Sequence, residues 1–320
     1  MSAGSYSYSA VLMGSPILLK LFEHDEALAG RVFRLIRHQE NLFTVNRAQS
    51  EVMAINHAAG LHPVVVSPAV YPLIKRASEV SKLKDSCFNF AIGPLVKRWK
   101  IGFQGDTVPP AGELQALLAL TDPHQVILDD DARSVFLQQA GMEIDLGAIA
   151  KGYIADVVRD YLQQQQVECA LINLGGNVQT LGHPHQQSWG IGLQKPFAGP
   201  EELIGVINVT HKSVVTSGVY ERYFERDGRR YHHILDPRTG APLDNELLSV
   251  TIISEDSIDG DIWTTLLYGL GVEKSLACLR DTPQIEAIFV TRDREVICSS
   301  QRGYRFTLLD HSYRLTGSTA

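Results

Sequence analysis

The sequence predicts an α+β fold of mixed, largely antiparallel sheets with packed helices, and three observations predict it. Stretches with apolar residues at helical spacing are interspersed with short apolar runs bounded by turn residues. Many of those runs are placed to pair antiparallel, several across tight turns. Strand–helix–strand units of the kind that build a parallel sheet are few. The 320 residues suffice for one large or two ordinary domains. No Pro-, Gly- or Ser-rich linker divides them, so residues 1–320 are read as a single domain.

In chain order, residues 11–21 read as a strand. Residues 24–43 carry Ala27, Leu28, Val32, Leu35 and Ile36 at helical spacing. A second helix is predicted over 68–83, with Ser67 as N-cap and Val70, Leu73, Ile74, Ala77 and Val80 on one face. A short helix over 112–120 follows Pro109-Pro110, and strands over 125–128 and 134–138 are joined across the acidic turn Asp129-Asp130-Asp131. Residues 142–146 end a strand, Gly147 opens a helix reaching about residue 165, and the strand 169–174 runs into Gly175-Gly176-Asn177. Further strands are predicted near 189–193, 203–209 and 214–223. The segment YHHILDPRTG, residues 231–240, combines a strand with a turn in which Pro237 fixes φ and Gly240 closes the loop. Then come the apolar run 247–253, a helix starting near Asp261, a helical stretch 272–279, and a last strand pair, 285–291 with 295–299.

With 44% hydrophobic and 20% charged residues the composition is that of an ordinary globular protein. The formal net charge of -7 argues against a general binder of nucleic acid or of an anionic membrane. A local basic cluster, Arg222, Arg226, Arg229 and Arg230, is read as a solvated strand end. Cys87, Cys169, Cys278 and Cys298 lack metal or redox spacing and read as reduced thiols. Residues 1–22 contain no basic n-region, no lipobox cysteine and no spanning apolar run. Cytoplasmic localisation without a membrane partner is the expectation.

Four segments carry candidate chemistry. DLGAIAKGYIAD, residues 145–156, delivers Asp145 to a turn from which a helix starts at once. The free N–H groups and dipole of such a helix start suit a phosphate, with Lys151 adding charge. A helix cap at Asp145 and a solvated Lys151 account for the same residues. LINLGGN, residues 171–177, places Gly175 and Gly176 where positive φ and close approach of a ligand are permitted. Two glycine turns at strand ends point to a diphosphate, although any tight turn uses Gly-Gly-Asn equally well. Walker A and GxGxxG motifs are absent. In DGDIWTTLLYGLG, residues 259–271, Asp261 and Thr265 stand at i and i+4 and share a helix face. A carboxylate and a hydroxyl are hard donors suited to Mg²⁺; an Asp N-cap and an ordinary helical Thr are the alternative. Thr216-Ser217-Gly218 interrupts a strand, as a ligand edge or as a β-bulge. His232 and His233, adjacent on a strand, face opposite sides, so at most one serves a given site.

Together MGSP (13–16), SEVMAIN (50–56), FNFAIGPLVKRW (88–99), DLGAIAKGY, NLGGN, TSGVYER, HHILDPRTG and the D-x-x-x-T of Asp261 to Thr265 stand in the order seen in the ApbE family. The chain resembles these FAD:protein FMN transferases over nearly its whole length. The resemblance implies a two-lobed fold with FAD between the lobes. It implies Mg²⁺-dependent transfer of FMN from FAD to a Ser or Thr hydroxyl of an acceptor flavoprotein, with AMP leaving. Asp261 and Thr265 would bind Mg²⁺ with the backbone carbonyl of Ala148. Met13, Cys87, Phe88, Asn89, Asp145, Lys151 and Leu235 would contact FAD, and the Gly175 and Gly176 amides would add fixed donors. His233, three residues before Asp236, would be the catalytic histidine, a general base with an unperturbed pKa of ~6.5. His232 would face packing or solvent. Asn89 stands where the family commonly has Asp, and Asn46 where an aromatic residue can stack on the flavin nucleotide. A metal-dependent FAD pyrophosphatase, with water in place of the hydroxyl, needs the same residues. A non-catalytic FAD-binding protein is the other alternative.

Overall fold

A computed structural model of the chain describes residues 4–317, so the reading of the N-terminus at residues 1–3 lies outside the described residues. The chain divides into two compact units: Met1–His38 with Lys151–Gly218 and Glu246–Ala320, and Gln39–Ala150 with Val219–Asn245.

The first unit is built on a nine-stranded sheet, in spatial order Tyr6–Leu12, Ser15–Leu21, Ala170–Leu174, Asn177–Leu181, Ser213–Gly218, Leu247–Ser254, Glu286–Thr291, Glu295–Cys298 and Arg314–Gly317. Neighbours pair antiparallel, except that Glu295–Cys298 and Arg314–Gly317 run parallel. The strand predicted over 11–21 is therefore two strands, folded back at Met13 (φ 52°) and Gly14 (φ 65°) with Leu12 opposite Ser15. Two successive positive φ values make the two-residue hairpin turn that matches strand twist. Gly14 adopts that conformation freely and Met13 does not, which hid the turn in the sequence. Gly175 (φ 64°) and Gly176 (φ 97°) make the same kind of turn between Leu174 and Asn177.

Strand alternation sends Val214, Ile253, Ile288 and Val290 to one side of this sheet. There they pack with Trp189, Leu193, Ile204 and Ile207 of a three-stranded sheet formed by Trp189–Gln194, Leu203–Val209 and Arg305–Leu308. Val215 points to the other side, against the Ser257–Arg280 helix; a Cβ at Gly260 would lie 2.4 Å from Val215 Cγ2. That helix starts four residues before the predicted Asp261 and takes in 272–279 beyond a break at Gly271 (φ 75°, ψ 175°). The Ala150–Gln164 helix packs beside it through Gly152, where a Cβ would lie 2.3 Å from the Ser257 carbonyl oxygen.

The chain enters the second unit within the Glu26–Phe43 helix. This unit holds the helices Glu51–His57, Tyr71–Ser81, Gly93–Trp99 and Ala111–Leu118, and a small sheet of Val64–Val65, Ser134–Leu137 and Val126–Asp129. It also holds a hairpin, Tyr223–Arg226 with Arg229–His232. The predicted strand 214–223 is thus split between the units. The helix predicted from Pro68 is regular from Tyr71; the Ser67 carbonyl opens the preceding turn, accepting from Val70 N and Tyr71 N at 3.1 Å, but its side chain does not cap, since its N–H and hydroxyl both donate to the Glu51 carboxylate, at 2.6 and 2.7 Å. The predicted strand 142–146 joins no sheet. The Asn56 side chain takes the place of a strand neighbour, accepting from Ile144 N at 2.7 Å and donating to its carbonyl at 3.0 Å. Leu95, Trp99, Ile101 and Leu235 form a buried cluster, and Trp99 Nε1 donates to the Gly240 carbonyl at 2.7 Å, which anchors the turn after the histidines. Among the described residues no helix is long and apolar enough to cross a membrane.

Candidate active site

In the first unit, Met13, Lys151, Gly175, Gly176, Asp261 and Thr265 gather at one end of the large sheet. The two hairpin turns are side by side, since Ile17 pairs with Leu174. Lys151, in the first turn of its helix, donates to Ser15 Oγ at 3.2 Å. A Cβ at Gly175 would fall 2.6 Å from Ser15 Cβ and 3.1 Å from Lys151 Nζ, so the glycine is what admits the ammonium group. The Gly176 N–H donates to Asn173 Oδ1 at 2.8 Å and is therefore already spent.

Asp261 lies in the second turn of the Ser257–Arg280 helix, not at its cap. Its Oδ2 accepts from Gly152 N at 2.6 Å and its Oδ1 from Asn177 Nδ2 at 3.0 Å. Asn177 is itself fixed: its Oδ1 accepts from Ser257 Oγ at 2.5 Å, and Ser257 Oγ accepts from Ser213 Oγ at 2.8 Å. Burial pushes the Asp261 carboxyl up to about 7, against the lowering effect of Gly152, Asn177 and Lys151. A desolvated carboxylate held only by neutral donors is a good partner for a cation. The Thr265 hydroxyl sits one turn on, donating to the Asp261 carbonyl at 3.4 Å. No cluster of three or more His, Cys, Asp or Glu side chains forms a metal site among the described residues. One carboxylate with neutral oxygens is a donor set that fits Mg²⁺, which keeps several waters. Ala148 belongs to the other unit, in the exposed turn before the Ala150–Gln164 helix.

The base of this arrangement is a second buried carboxylate. Asp156 accepts from Ser257 N at 2.7 Å and Ile258 N at 2.9 Å, capping the helix that carries Asp261. Burial raises its pKa to about 6, with the two N–H donors and Arg159 opposing.

In the second unit, His232 and His233 differ in every respect that matters for acid–base chemistry. His232 is 7% exposed. Its Nε2 meets the Leu243 carbonyl at 2.7 Å and must be the protonated nitrogen, while Nδ1 accepts from Ile234 N at 3.3 Å. His233 is half-buried. Its Nδ1 donates to the Arg222 carbonyl at 3.2 Å, so the lone pair of the neutral ring falls on Nε2. The strand ends at His232 and the chain bends at His233, whereas the sequence reads as strand through Leu235. The Asp236 turn is tied by Arg238 N and Nε, both 2.9 Å from Asp236 Oδ1.

Asp145 Oδ1 accepts from Gly147 N at 2.7 Å, and its own N–H donates to the Phe90 carbonyl at 2.8 Å. It closes a turn before the helix rather than capping the helix. Burial raises its carboxyl pKa, and the Gly147 N–H and the charge of Arg222 oppose this. Cys87, Phe88 and Leu235 are buried. Asn89 donates to the Thr121 carbonyl and accepts from Ala91 N, both at 2.8 Å; an Asp there would lack the donor. Asn46 is exposed, with its N–H on Thr44 Oγ1 at 3.1 Å. Thr216-Ser217-Gly218 pairs regularly with Thr251, Val250 and Ser249, so it is not a bulge.

Gly152, Asn177, Ser213, Ser257 and Asp156, the residues that hold Asp261 in place, were not among the predicted site residues. Gly152 had a signal, because an interior helix glycine costs about 1 kcal/mol relative to Ala and marks close packing.

The ApbE family model matches residues 13–289. The chain is 66% identical over 315 residues to the FAD:protein FMN transferase of Klebsiella pneumoniae (strain 342), covering 98% of each. It is 37% identical to that of Treponema pallidum (strain Nichols), covering 97% of this chain and 91% of the relative. Among solved structures, the ApbE protein of Thermotoga maritima superposes with a TM-score of 0.81 at 29% identity, over 95% of this chain and 97% of that one. Apo flavinyl transferase ApbE of Pseudomonas stutzeri gives 0.77 at 29% identity, over 95% and 94%.

Proposed function

We propose a function from one premise: the chain belongs to the ApbE family. It is an enzyme that transfers FMN from FAD to a protein acceptor. The finer reading is ours. The acceptor atom is a Ser or Thr hydroxyl oxygen, which attacks the phosphorus on the FMN side of the pyrophosphate. A new P–O bond forms, the bridging P–O bond breaks, and AMP leaves with the bonding pair. The hydroxyl proton passes to Nε2 of His233. The single observation that carries this assignment is the opposite tautomer of the two adjacent histidines, since His232 has both ring nitrogens committed.

Lys151 lends positive charge to the pyrophosphate, and the segment Cys87-Phe88-Asn89 with Met13, Asp145 and Leu235 contacts FAD. Because the side chains of Cys87, Phe88 and Asn89 are buried or engaged, that segment offers its backbone. Asp261, Thr265 and the Ala148 carbonyl would hold Mg²⁺, which would offset charge on the phosphoryl oxygens. Gly175 serves by making room for Lys151. We place the reaction in the cytoplasm; four unbridged cysteines suit a reducing compartment.

The test is incubation with FAD, Mg²⁺ and an acceptor flavoprotein, read by intact mass and in-gel flavin fluorescence. Covalent addition of FMN with stoichiometric AMP is expected. AMP and FMN released as readily without acceptor would make the protein a pyrophosphatase instead.

A further inference from the structure

The large sheet of the first unit ends in two edge strands, Tyr6–Leu12 and Arg314–Gly317. The second is short, at four residues, and its Arg314 is paired with Glu295. Short length and charge are usual means by which a sheet edge is kept from pairing with another chain. Tyr6–Leu12, YSYSAVL, has neither. It runs for seven residues with no charged side chain and no proline, and its register with Ser15–Leu21 is unbroken by a bulge. Leu12 and Ser15 flank a two-residue turn and face each other as a hydrogen-bonded pair. The backbone groups of Leu12, Ala10, Tyr8 and Tyr6 therefore turn to the neighbouring strand, and those of Val11, Ser9 and Ser7 turn outward. Among the described residues no hydrogen bond reaches the N–H and C=O groups of Ser7, Ser9 and Val11. All three residues are exposed, and Val11, at 76%, is the most exposed large apolar side chain among the described residues.

We propose that this edge is the docking strand for the protein acceptor: an extended segment of the acceptor adds to Tyr6–Leu12 through main-chain hydrogen bonds and so leads its hydroxyl to the pyrophosphate. The proposal rests on the flavin-transfer reading above. Continuity with the site is the argument for this occupant. The strand runs straight into the Met13–Gly14 turn, and Ser15, on the far side of that turn, accepts from the Lys151 ammonium at 3.2 Å. An added strand lies one strand spacing outside Tyr6–Leu12, and Ser15 lies one spacing inside it, so about 10 Å separates the two. About three extended residues span that distance, which puts the hydroxyl residue roughly three positions beyond the last paired one. Strand addition suits an enzyme whose substrate is a polypeptide, because main-chain bonds supply the affinity and alternate side chains the selectivity. Alternation places the side chains of Ser7, Ser9 and Val11 on one face. The added strand therefore meets two small hydroxyls and then, nearest the turn, the exposed valine, where an apolar acceptor residue is expected.

The test uses the full-length protein and a short peptide around the FMN-bearing threonine of an acceptor flavoprotein, made with that threonine free. A matched peptide, N-methylated at alternate residues, keeps the side chains and loses the donors. Hydrogen exchange should show the Ser7, Ser9 and Val11 amides slowed by the first peptide and not by the second, with the Tyr8 and Ala10 amides, already paired, unchanged. Ser9→Pro removes an outward N–H at an edge position where proline is tolerated. It should raise the KM for the intact acceptor by about tenfold, the loss of roughly one or two hydrogen bonds, with kcat and FAD affinity unmoved and Ser9→Ala at the wild-type value. Thermal melts establish that the variants fold; Ser9→Lys, a charge of the kind that blunts natural edges, is the second variant and should act in the same direction. Unslowed exchange at the three amides under saturating peptide, equal slowing by the N-methylated peptide, or an unchanged KM in the folded variants would overturn the proposal. A dimer in sedimentation that Ser9→Pro dissolves would assign the edge to a second copy and also overturn it. Exchange is read without turnover, so failure of the transfer reading would show separately, as slowed edge amides with no FMN added to the acceptor by the wild-type protein.

Discussion

The two histidines should fail in opposite ways when each is replaced by alanine. Removing the His232 ring leaves the Ile234 N–H and the Leu243 carbonyl without their partners, in residues only 9% and 5% exposed. Each buried orphan costs about 1–3 kcal/mol, so His232→Ala should lose roughly 2–6 kcal/mol. That is a large share of a typical total stability of ~5–15 kcal/mol. The His233→Ala variant leaves the Arg222 carbonyl its bond from the backbone N–H of residue 233. Its stability should change by less than about 1 kcal/mol. The transfer rate should show the reverse. Loss of a general base costs about 10²–10⁴ in rate, so His233→Ala should be slow, while His232→Ala should transfer at close to the wild-type rate wherever it remains folded. Urea denaturation and single-turnover transfer, run on both variants, measure the two quantities. A stable but slow His232→Ala beside a fast His233→Ala would refute the tautomer argument and the strand facing behind it.

Three further outcomes are expected. Gly152→Ala places a methyl carbon 2.3 Å from the Ser257 carbonyl oxygen, so the two helix starts must part; about 1–3 kcal/mol of stability and the Gly152–Asp261 bond should be lost, read as a lower urea midpoint and weaker Mg²⁺ binding. Asp156 has a folded pKa raised from 3.8 to about 6, so its protonation favours the native state; that contribution is full below about 3.8 and lost as pH rises through 6. The rise of about two pH units corresponds to roughly 3 kcal/mol, and Asp156→Asn should lack that part of the fall in stability between acid and neutral pH, a point that parallel urea titrations decide. Calorimetry should give tighter binding of FAD than of FMN, since FMN lacks the pyrophosphate that we assign to Lys151; equal affinities would contradict that assignment.

Much of the fold was legible because period and turn chemistry are local. The Glu286–Thr291 and Glu295–Cys298 pair and the Trp189–Gln194 and Leu203–Val209 strands follow the apolar runs closely. The errors arose where a contact distant in sequence replaced a local rule. Ser67 reads as an N-cap, but the Glu51 carboxylate sixteen positions away holds it. Residues 142–146 read as a strand, but their neighbours are the Asn56 side chain and the irregular backbone at Phe90 and Gly93. Met13 reads as mid-strand, but it occupies a positive-φ turn that nothing in its side chain favours.

The site shows the same division more sharply. Asp261, Thr265 and Lys151 were candidates from sequence because hard donors and positive charge belong to their side chains, but their roles came only from the resemblance to the ApbE family. What makes Asp261 a usable ligand could not be named, because it depends on tertiary placement. Gly152 contributes only an N–H and the absence of a Cβ, and Asn177 contributes an amide whose orientation is set by Ser257 and Ser213. An Asn can present either its oxygen or its nitrogen. Here the Ser257 hydroxyl, donating at 2.5 Å, claims the oxygen and turns the Nδ2 to Asp261. Ser257 is in turn fixed by Asp156 through its backbone N–H. The carboxylate is therefore aimed by a chain of hydrogen bonds that runs from two helices and two strands. Each of its members alone reads in sequence as an ordinary polar residue, and their joint effect exists only once the first unit has folded.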